Sequence, residues 1–257
     1  MVKGLYTAYT GMLHQQNKMD IIANNMANAA TTGFKKEGST SQAFDTMLAL
    51  KIKDQTVAPV SQKIGGMNLG VKVGETYTDY SQGPFKTTGN TYDLALSGDG
   101  FFICEFTNKA GETSLKYTRD GSFTLTKEGY LVTKDGDYVL DKSGRHIKLD
   151  PMQDASIDET GTIFQNNTAV SSIGLQDFED YNYLEHYGEN YFQPVAGAKT
   201  KASTARMFEG YLEAPNMQVV TEMVNMISTT RAYESNQKVI QTIDSTLDKA
   251  VNQLGNV

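Results

Sequence analysis

The sequence has little of what most enzyme and metal sites are built from. Its 257 residues include one cysteine, Cys104, no tryptophan, and three widely separated histidines, His14, His146 and His186. A single cysteine excludes an intramolecular disulfide, and no histidine has a second histidine or cysteine at metal-ligand spacing. Neither a G-x-G-x-x-G phosphate loop nor a G-x-S-x-G nucleophile elbow is present. The sequence therefore predicts no catalytic residue, cofactor, metal or small-molecule substrate, and we expect a protein that is not an enzyme.

Basic segments and long apolar runs are scarce as well. The net charge is −7, and no run of Lys and Arg is longer than Lys35-Lys36, so we expect no binding to nucleic acid or to an anionic membrane. No apolar run approaches the roughly 20 residues of a transmembrane helix. Polar residues 14–17 occupy the place where a signal peptide would have its apolar centre. We expect a soluble chain that, if it leaves the cytoplasm, uses no cleaved signal peptide.

Residues 1–33 are predicted to form a helix. Apolar or small residues recur at alternating spacings of four and three, which is typical of a coiled-coil seam rather than the broader stripe of a globular helix. The polar Gln16 interrupts this seam, and Gly33 is a typical stop signal. The other seam positions are Leu5, Tyr9, Met12, Met19, Ala23, Met26 and Ala30.

Residues 215–257 repeat this pattern over five heptads. Pro215 precedes the run, and Asn216 is predicted to be the N-cap of the helix. Each terminal helix has a narrow apolar seam that needs a partner, so we expect the two helices to lie side by side and antiparallel. The seam positions are Val219, Met223, Met226, Thr230, Tyr233, Gln237, Ile240, Asp244, Leu247, Val251 and Leu254.

The middle of the chain has a different character. Residues 70–194 are rich in glycine and β-branched side chains, with turn signals such as Asp135-Gly136 at short intervals, and predict a central all-β domain of hairpins. Residues 34–69 are predicted to be a connector with a short helix around 43–52, and residues 195–214 a return connector. The predicted fold class is α+β: paired N- and C-terminal coiled-coil-like helices plus a central β domain.

The terminal heptads allow two interpretations, an intramolecular helix pair or a surface that also contacts other copies of the chain. Apolar residues such as Leu13, Val220 and Val224 flank the seams and widen them, which favours contacts with several neighbours. The polar seam positions are predicted to fix the register of packing: Gln16, Thr230, Gln237 and Asp244. The predicted assembly interface comprises Leu5, Tyr9, Met12, Met19, Ile22, Met26, Val219, Met223, Met226, Ile227, Tyr233, Ile240, Leu247, Val251 and Leu254.

Several blocks of the sequence resemble the signatures of flagellar rod and hook proteins. Residues 4–36 contain ANNMAN and TTGFK, and residues 81–102 read SQGPFKTTGNTYDLALSGDGFF. Residues 117–136 read YTRDGSFTLTKEGYLVTKDG, and residues 210–244 begin GYLEAPNMQVV. The blocks follow one order and span nearly the whole chain, which makes the resemblance specific.

The resemblance implies a structural subunit of the flagellar basal-body rod, the hollow shaft that joins the motor to the hook. Members of this family leave the cell through the flagellar type III export apparatus and polymerise helically through their terminal helices. The implied partners are other copies of the chain, other rod and hook axial proteins and the export apparatus. The implied location is the flagellar basal body.

Alternatives remain within and outside this family. The length and the unbroken N-terminal block most resemble the distal rod protein. The proximal rod protein has a similar layout, and no stiffening segment of the distal type is recognisable in residues 56–70. Hook proteins are usually longer, with an additional outer domain. Outside the family, a soluble module whose helices engage a partner transiently is the alternative, and it would not form large particles.

Overall fold

The structure is a computed structural model that describes residues 2–50, 63–108, 111–188 and 190–254. Helix α1 spans Val2–Ala27 and helix α2 spans Val219–Leu254, with β-strands between them. This arrangement confirms the predicted α+β class. None of the described helices is long and apolar enough to cross a membrane.

The chain folds as two compact units, each of which is discontinuous in sequence. The helical unit consists of Met1–Met26, Glu37–Thr78 and Val219–Val257. The β unit consists of Ala27–Lys36 and Asp79–Gln218. These limits differ from the predicted domain limits at residues 70 and 194, because segments distant in sequence complete each unit.

In the helical unit, α1 and α2 lie against each other. At successive contacts, residues with higher numbers in α1 meet residues with lower numbers in α2, so the two helices run antiparallel. An added Cβ on Gly4 would lie 3.6 Å from Ile243 Cδ1, and one on Gly11 would lie 2.9 Å from Asn236 Nδ2. Thr230 Oγ1 lies 3.5 Å from Met19 Sδ.

Strands of the helical unit occupy the segment predicted to be a connector. Strand β1 pairs antiparallel with β4, and β2 pairs with β3. The predicted helix around residues 43–52 is wrong over residues 43–50, because Ala43 ends β1, residues 44–46 are irregular and residues 47–50 form β2. Residues 51–52 lie outside the described part. The strands are β1 (Glu37–Ala43), β2 (Met47–Leu50), β3 (Lys63–Met67) and β4 (Val71–Thr78).

The β1–β4 pair is bonded to α1 at intervals along the helix. The Asn25 side chain accepts from Glu37 N at 2.9 Å and donates to Glu37 O at 2.8 Å, as a strand backbone would. Further along, His14 Nε2 and Ser41 Oγ lie 2.7 Å apart. Gly70 packs so closely on α1 that an added Cβ would lie 2.0 Å from Thr10 Oγ1. The ANNMAN motif thus contributes a buried amide that fixes the first strand to the helix.

The β unit contains the strands β5 to β20. An antiparallel sheet runs in the order β16–β17–β8–β7–β11–β10–β9, and β15 pairs with both β7 and β18. A further sheet has the order β12–β13–β14. The strands are β5 (Phe85–Thr87), β6 (Leu94–Ser97), β7 (Phe101–Thr107), β8 (Thr113–Thr118), β9 (Phe123–Leu125), β10 (Leu131–Thr133), β11 (Tyr138–Val139), β12 (Ala155–Ile157), β13 (Thr162–Gln165), β14 (Thr168–Ser172), β15 (Leu175–Phe178), β16 (Leu184–Tyr187), β17 (Tyr191–Pro194), β18 (Thr200–Lys201), β19 (Arg206–Glu209) and β20 (Tyr211–Glu213).

The core of the β unit forms where alternate residues of these strands point inward. Leu94, Phe102, Cys104 and Ile173 are almost fully buried in one cluster. Burial raises the pKa of the Cys104 thiol, which leaves it a small apolar side chain rather than a reactive one. Met207 of β19 belongs to the same cluster. Residues beyond 194 therefore complete the core.

We predict that the β unit folds only when its late strands are included. Strand β19 pairs with β6, and β20 pairs with β5, so a fragment of residues 70–194 leaves both partners unpaired. Lys36 O and Asp79 N are 2.9 Å apart, so a short Gly-Ser linker can replace residues 37–78. The linked fragment of residues 27–36 and 79–218 should melt cooperatively by circular dichroism. A sharp melting transition of the 70–194 fragment would contradict this expectation.

Buried and partly buried tyrosines should make the β unit sensitive to alkali. Burial raises the pKa of Tyr117, Tyr181 and Tyr191 above the ordinary value of 10.0. Folded tyrosines keep their protons where unfolded ones lose them, so their stabilisation is complete below about pH 10 and is lost as the pH rises further. Urea unfolding of the linked fragment should show this decline. The Tyr191→Phe variant should show a shallower decline, and an unchanged slope would contradict the assignment.

Candidate assembly surface and motif junction

A buried carboxylate lies where the sequence blocks of the β unit meet. Glu213 Oε1 accepts from Lys35 Nζ at 2.6 Å and from Gly83 N at 2.9 Å. Glu213 Oε2 lies 3.4 Å from Arg119 Nη1. The three charged side chains are between 1% and 4% exposed. We call this group, Lys35, Arg119 and Glu213, the motif junction.

The charged side chains of the motif junction are also bonded to backbone carbonyl groups. Lys35 Nζ donates to Ser81 O at 2.9 Å, and Arg119 Nη2 donates to Gly98 O at 2.7 Å. Burial lowers the pKa of the Lys35 ammonium, and the nearby Glu213 carboxylate opposes that shift. Removing one partner of such a group leaves an uncompensated buried charge, which costs far more than loss of a surface ion pair.

The side chain of Asn216 forms further hydrogen bonds within the β unit. Asn216 was predicted to be the N-cap of the C-terminal helix, which is wrong, because α2 begins three residues later at Val219. Its side chain instead accepts from Lys36 N at 2.8 Å and donates to Asp79 O at 2.6 Å. The amide therefore joins the ends of the two segments that make up the β unit.

Gly33 also holds a different place from the one predicted. Helix α1 ends at Ala27, so Gly33 does not stop it. Gly33 has φ +69°, and an added Cβ would lie 2.4 Å from Asp120 N. Its N–H donates to Glu213 O at 2.8 Å, and Thr32 Oγ1 lies 2.6 Å from Asp120 Oδ1. The glycine of TTGFK thus allows close contact with the turn that follows Arg119.

The predicted interface residues of α1 differ in exposure. Ile22 is buried, and Tyr9 is 56% exposed. The predicted register residue Gln16 is also exposed. The remaining predicted positions are partly covered: Leu5, Met12, Met19 and Met26.

On α2 the covered residues again recur at spacings of three and four. The row that faces α1 comprises Met226, Thr229, Tyr233, Asn236, Ile240 and Ile243. Of the predicted register residues, Thr230 lies at the helix contact, whereas Gln237 and Asp244 are exposed. The side chain of Leu254 lies outside the described residues. The other predicted interface positions are exposed: Val219, Met223, Ile227, Leu247 and Val251.

The histidines take part in separate local contacts. His146 Nε2 lies 2.7 Å from Glu105 Oε2, and His186 packs edge-on against Phe34 and Phe192. Within the described ranges, no three His, Cys, Asp or Glu side chains are grouped so that they could hold a metal ion.

Sequence reasoning missed the motif junction. Lys35, Arg119 and Glu213 each lie in a block that was recognised as a signature, yet they are 84 or more residues apart and no local spacing pairs them. Each block contains an ionisable residue that the local periodicity does not explain. These three residues were the available signal for the motif junction.

Comparison with known proteins matches the same segments. The family model for the flagella basal body rod protein matches residues 5–35, and that for the flagellar hook protein FlgE/F/G D1 domain matches residues 95–165. The model for the flagellar basal body rod FlgEFG protein C-terminal matches residues 209–254. The matched segments therefore include most of α1, part of the β unit and all of α2.

Relatives match along all or nearly all of their lengths. The flagellar basal-body rod protein FlgF of Caulobacter vibrioides is 33% identical, with 100% of both chains covered. FlgG of Buchnera aphidicola subsp. Schizaphis graminum is 33% identical, covering 97% of this chain and 98% of the relative. FlgG of Bacillus subtilis is 33% identical, covering 98% and 99%.

The matched segments are those of axial structural proteins of the bacterial flagellum. The chain belongs to the flagellar basal-body rod protein family, and it is a structural subunit located in the basal body.

We predict that Glu213→Gln destabilises the β unit by about 3–5 kcal/mol, because it keeps the side-chain volume but leaves Lys35 and Arg119 buried without a carboxylate. The matched control is Glu159→Gln, since Glu159 and Arg206 form an exposed pair at 3.7 Å. The control should lose at most about 1 kcal/mol. Urea unfolding monitored by circular dichroism measures both, and equal losses would contradict a special role for the motif junction.

Proposed function

We propose that the chain polymerises helically through α1 and α2 to form part of the hollow rod. The observation that carries this proposal is a stripe of apolar side chains on α2 that the subunit itself leaves uncovered. Val220, Val224 and Ile227 are 73%, 60% and 54% exposed. They follow one another at spacings of four and three, so they share one face of the helix.

Helix α1 has a comparable stripe. Tyr6, Tyr9 and Leu13 are about half exposed and lie on one face. Other faces of α1 are occupied by α2 at Gly11 and by the β1–β4 pair at His14. Burial of apolar surface contributes roughly 25 cal/mol per Å², so exposed stripes on both helices favour association with neighbours.

The helices pair as a coiled coil in this proposal. Support comes from the covered row of α2, whose three-four spacing is that of a heptad seam, and from the antiparallel contacts with α1. Asn236 and Thr229 are the polar members of that covered row. Gln16, Gln237 and Asp244, which are exposed in the single subunit, would set register in contacts between copies.

The proposed partners are other copies of the chain, other rod and hook axial proteins and the flagellar type III export apparatus. Relatives named FlgF and FlgG match at the same 33% identity, which fits either rod position. The distal rod is our prediction, and the proximal rod is its alternative. Of the segment 56–70, residues 56–62 lie outside the described residues, and residues 63–67 form strand β3.

Charge in the covered row of α2 should block assembly. We predict that Ile240→Asp abolishes rod formation and motility, because Ile240 is partly covered in that row and an unpaired carboxylate there costs several kcal/mol. The measurement is swimming, together with electron microscopy of isolated basal bodies, in cells that lack their own copy of the gene.

The matched control is Gln241→Asp, which adds the same charge at an exposed neighbouring position and should retain motility. In both variants, the circular dichroism signal of the β unit should be the same as in the unsubstituted chain. Normal rods with Ile240→Asp would contradict the role of the helices in polymerisation.

A further inference from the structure

The C-terminal part of the β unit, residues 205–216, provides the strand partners of two earlier segments. Strand β19 pairs with β6, and β20 pairs with β5; among the described residues, each pair forms a two-stranded sheet of its own. Between β19 and β20, Gly210 N donates to Asp93 O at 2.8 Å, and Gly210 O accepts from Thr88 N at 2.9 Å. We call residues 205–216 the closing segment.

Strand β6 lies in the core and depends on this partner. Leu94, Ala95 and Leu96 are at most 1% exposed. The register places Met207 opposite Leu96 and Phe208 opposite Ala95, and Met207 itself belongs to the core. A buried strand without its partner leaves backbone N–H and C=O groups without hydrogen bonds, which is strongly unfavourable. The core is therefore incomplete until the closing segment is in place.

The closing segment also brings the carboxylate of the motif junction. Lys35 and Arg119 are 1% and 4% exposed, and each is paired with Glu213. Without Glu213, both cations would be buried without their paired carboxylate, which opposes folding. A second carboxylate of the closing segment, that of Glu209, accepts from Ile157 N at 2.7 Å. These contacts suit an extended segment with a glutamate at the position that faces both cations.

We propose that β5, β6, Lys35 and Arg119 form an acceptor site for an extended, glutamate-bearing peptide, and that the closing segment of the same chain fills this site last. Synthesis proceeds from the N-terminus, so every other strand of the β unit is made before the closing segment. The unit then stays unfolded until residues 205–216 are available. The order of segments in the chain thus delays folding of the β unit, whether or not the subunit polymerises.

Replacement of the closing segment in the full chain tests the acceptor site. Residues 205–216 are replaced by a Gly-Ser sequence of equal length, and the chain stays attached to stalled ribosomes through a C-terminal spacer, which prevents aggregation. Pulse proteolysis should degrade the β unit of this variant, whereas the β unit of the unsubstituted chain should resist. Addition of a synthetic peptide of residues 203–218 should restore resistance in the variant.

Matched peptides show whether the buried cations select the glutamate. The Glu213→Gln peptide should need an at least about tenfold higher concentration for the same protection, because it leaves both cations without their carboxylate. The Arg206→Gln peptide removes an exposed charge instead and should act like the unsubstituted peptide.

Four outcomes of these measurements would overturn the proposal. They are a resistant β unit in the variant without peptide, degradation of the β unit in the unsubstituted chain, no protection at any concentration of the unsubstituted peptide, and equal protection by the Glu213→Gln peptide.

Stalled chains of the unsubstituted sequence test the delay in folding. One chain ends at residue 204 and one at residue 218, and both carry the same spacer, long enough to hold the last native residue outside the ribosome. Only the chain that ends at residue 218 should contain a protease-resistant β unit. A resistant β unit in the shorter chain, or degradation of the unit in both, would overturn the proposal and leave the proposed polymerisation standing.

Discussion

The β unit depends on a carboxylate that has no access to water. Glu213 receives Lys35 and Arg119 on its two oxygens, and these residues come from three distant parts of the chain. An ionised group in such a place is stable only when its partners are in position, because desolvation of each charge costs several kcal/mol. The surrounding bonds of Gly33, Gly83 and Asn216 all reach the same region. Formation of this junction therefore requires that the N-terminal segment, the centre and the last strand fold together.

The helical unit is built on a different physical basis. Its contacts are apolar rows, small residues that allow close approach, and hydrogen bonds between the side chains of Asn25 and His14 and a strand pair. Such packing is less directional than a buried ion network, and it leaves apolar stripes on the outer faces of both helices. One unit has a self-sufficient core, and the other leaves apolar side chains of both helices exposed.

The geometry of the β unit gives a structural reason for particular residues of the motif blocks. TTGFK supplies Gly33, which fits beside Asp120, and Lys35, which neutralises Glu213. The YTRDG block supplies Arg119, and the GYLEAPN block supplies Glu213 and Asn216. The signature residues thus have a common structural reason, since they hold together segments that the chain order separates. In the structure, these residues fix the fold of the β unit.

The sequence by itself determined the terminal helices, the β character of the middle and the family, because heptad spacing, turn residues and long motif blocks are local signals. It did not determine that Gly33 lies beyond the helix end, that Asn216 is bonded to Lys36 rather than capping α2, or that Ala43 and residues 47–50 lie in strands. Nor did it reveal which helical face is covered, since Gln16 and Tyr9 fit a heptad and yet are exposed. Those features depend on long-range contacts. The carboxylate at position 213 is paired with a lysine that lies 178 residues away in the sequence. Only the tertiary structure brings the two together.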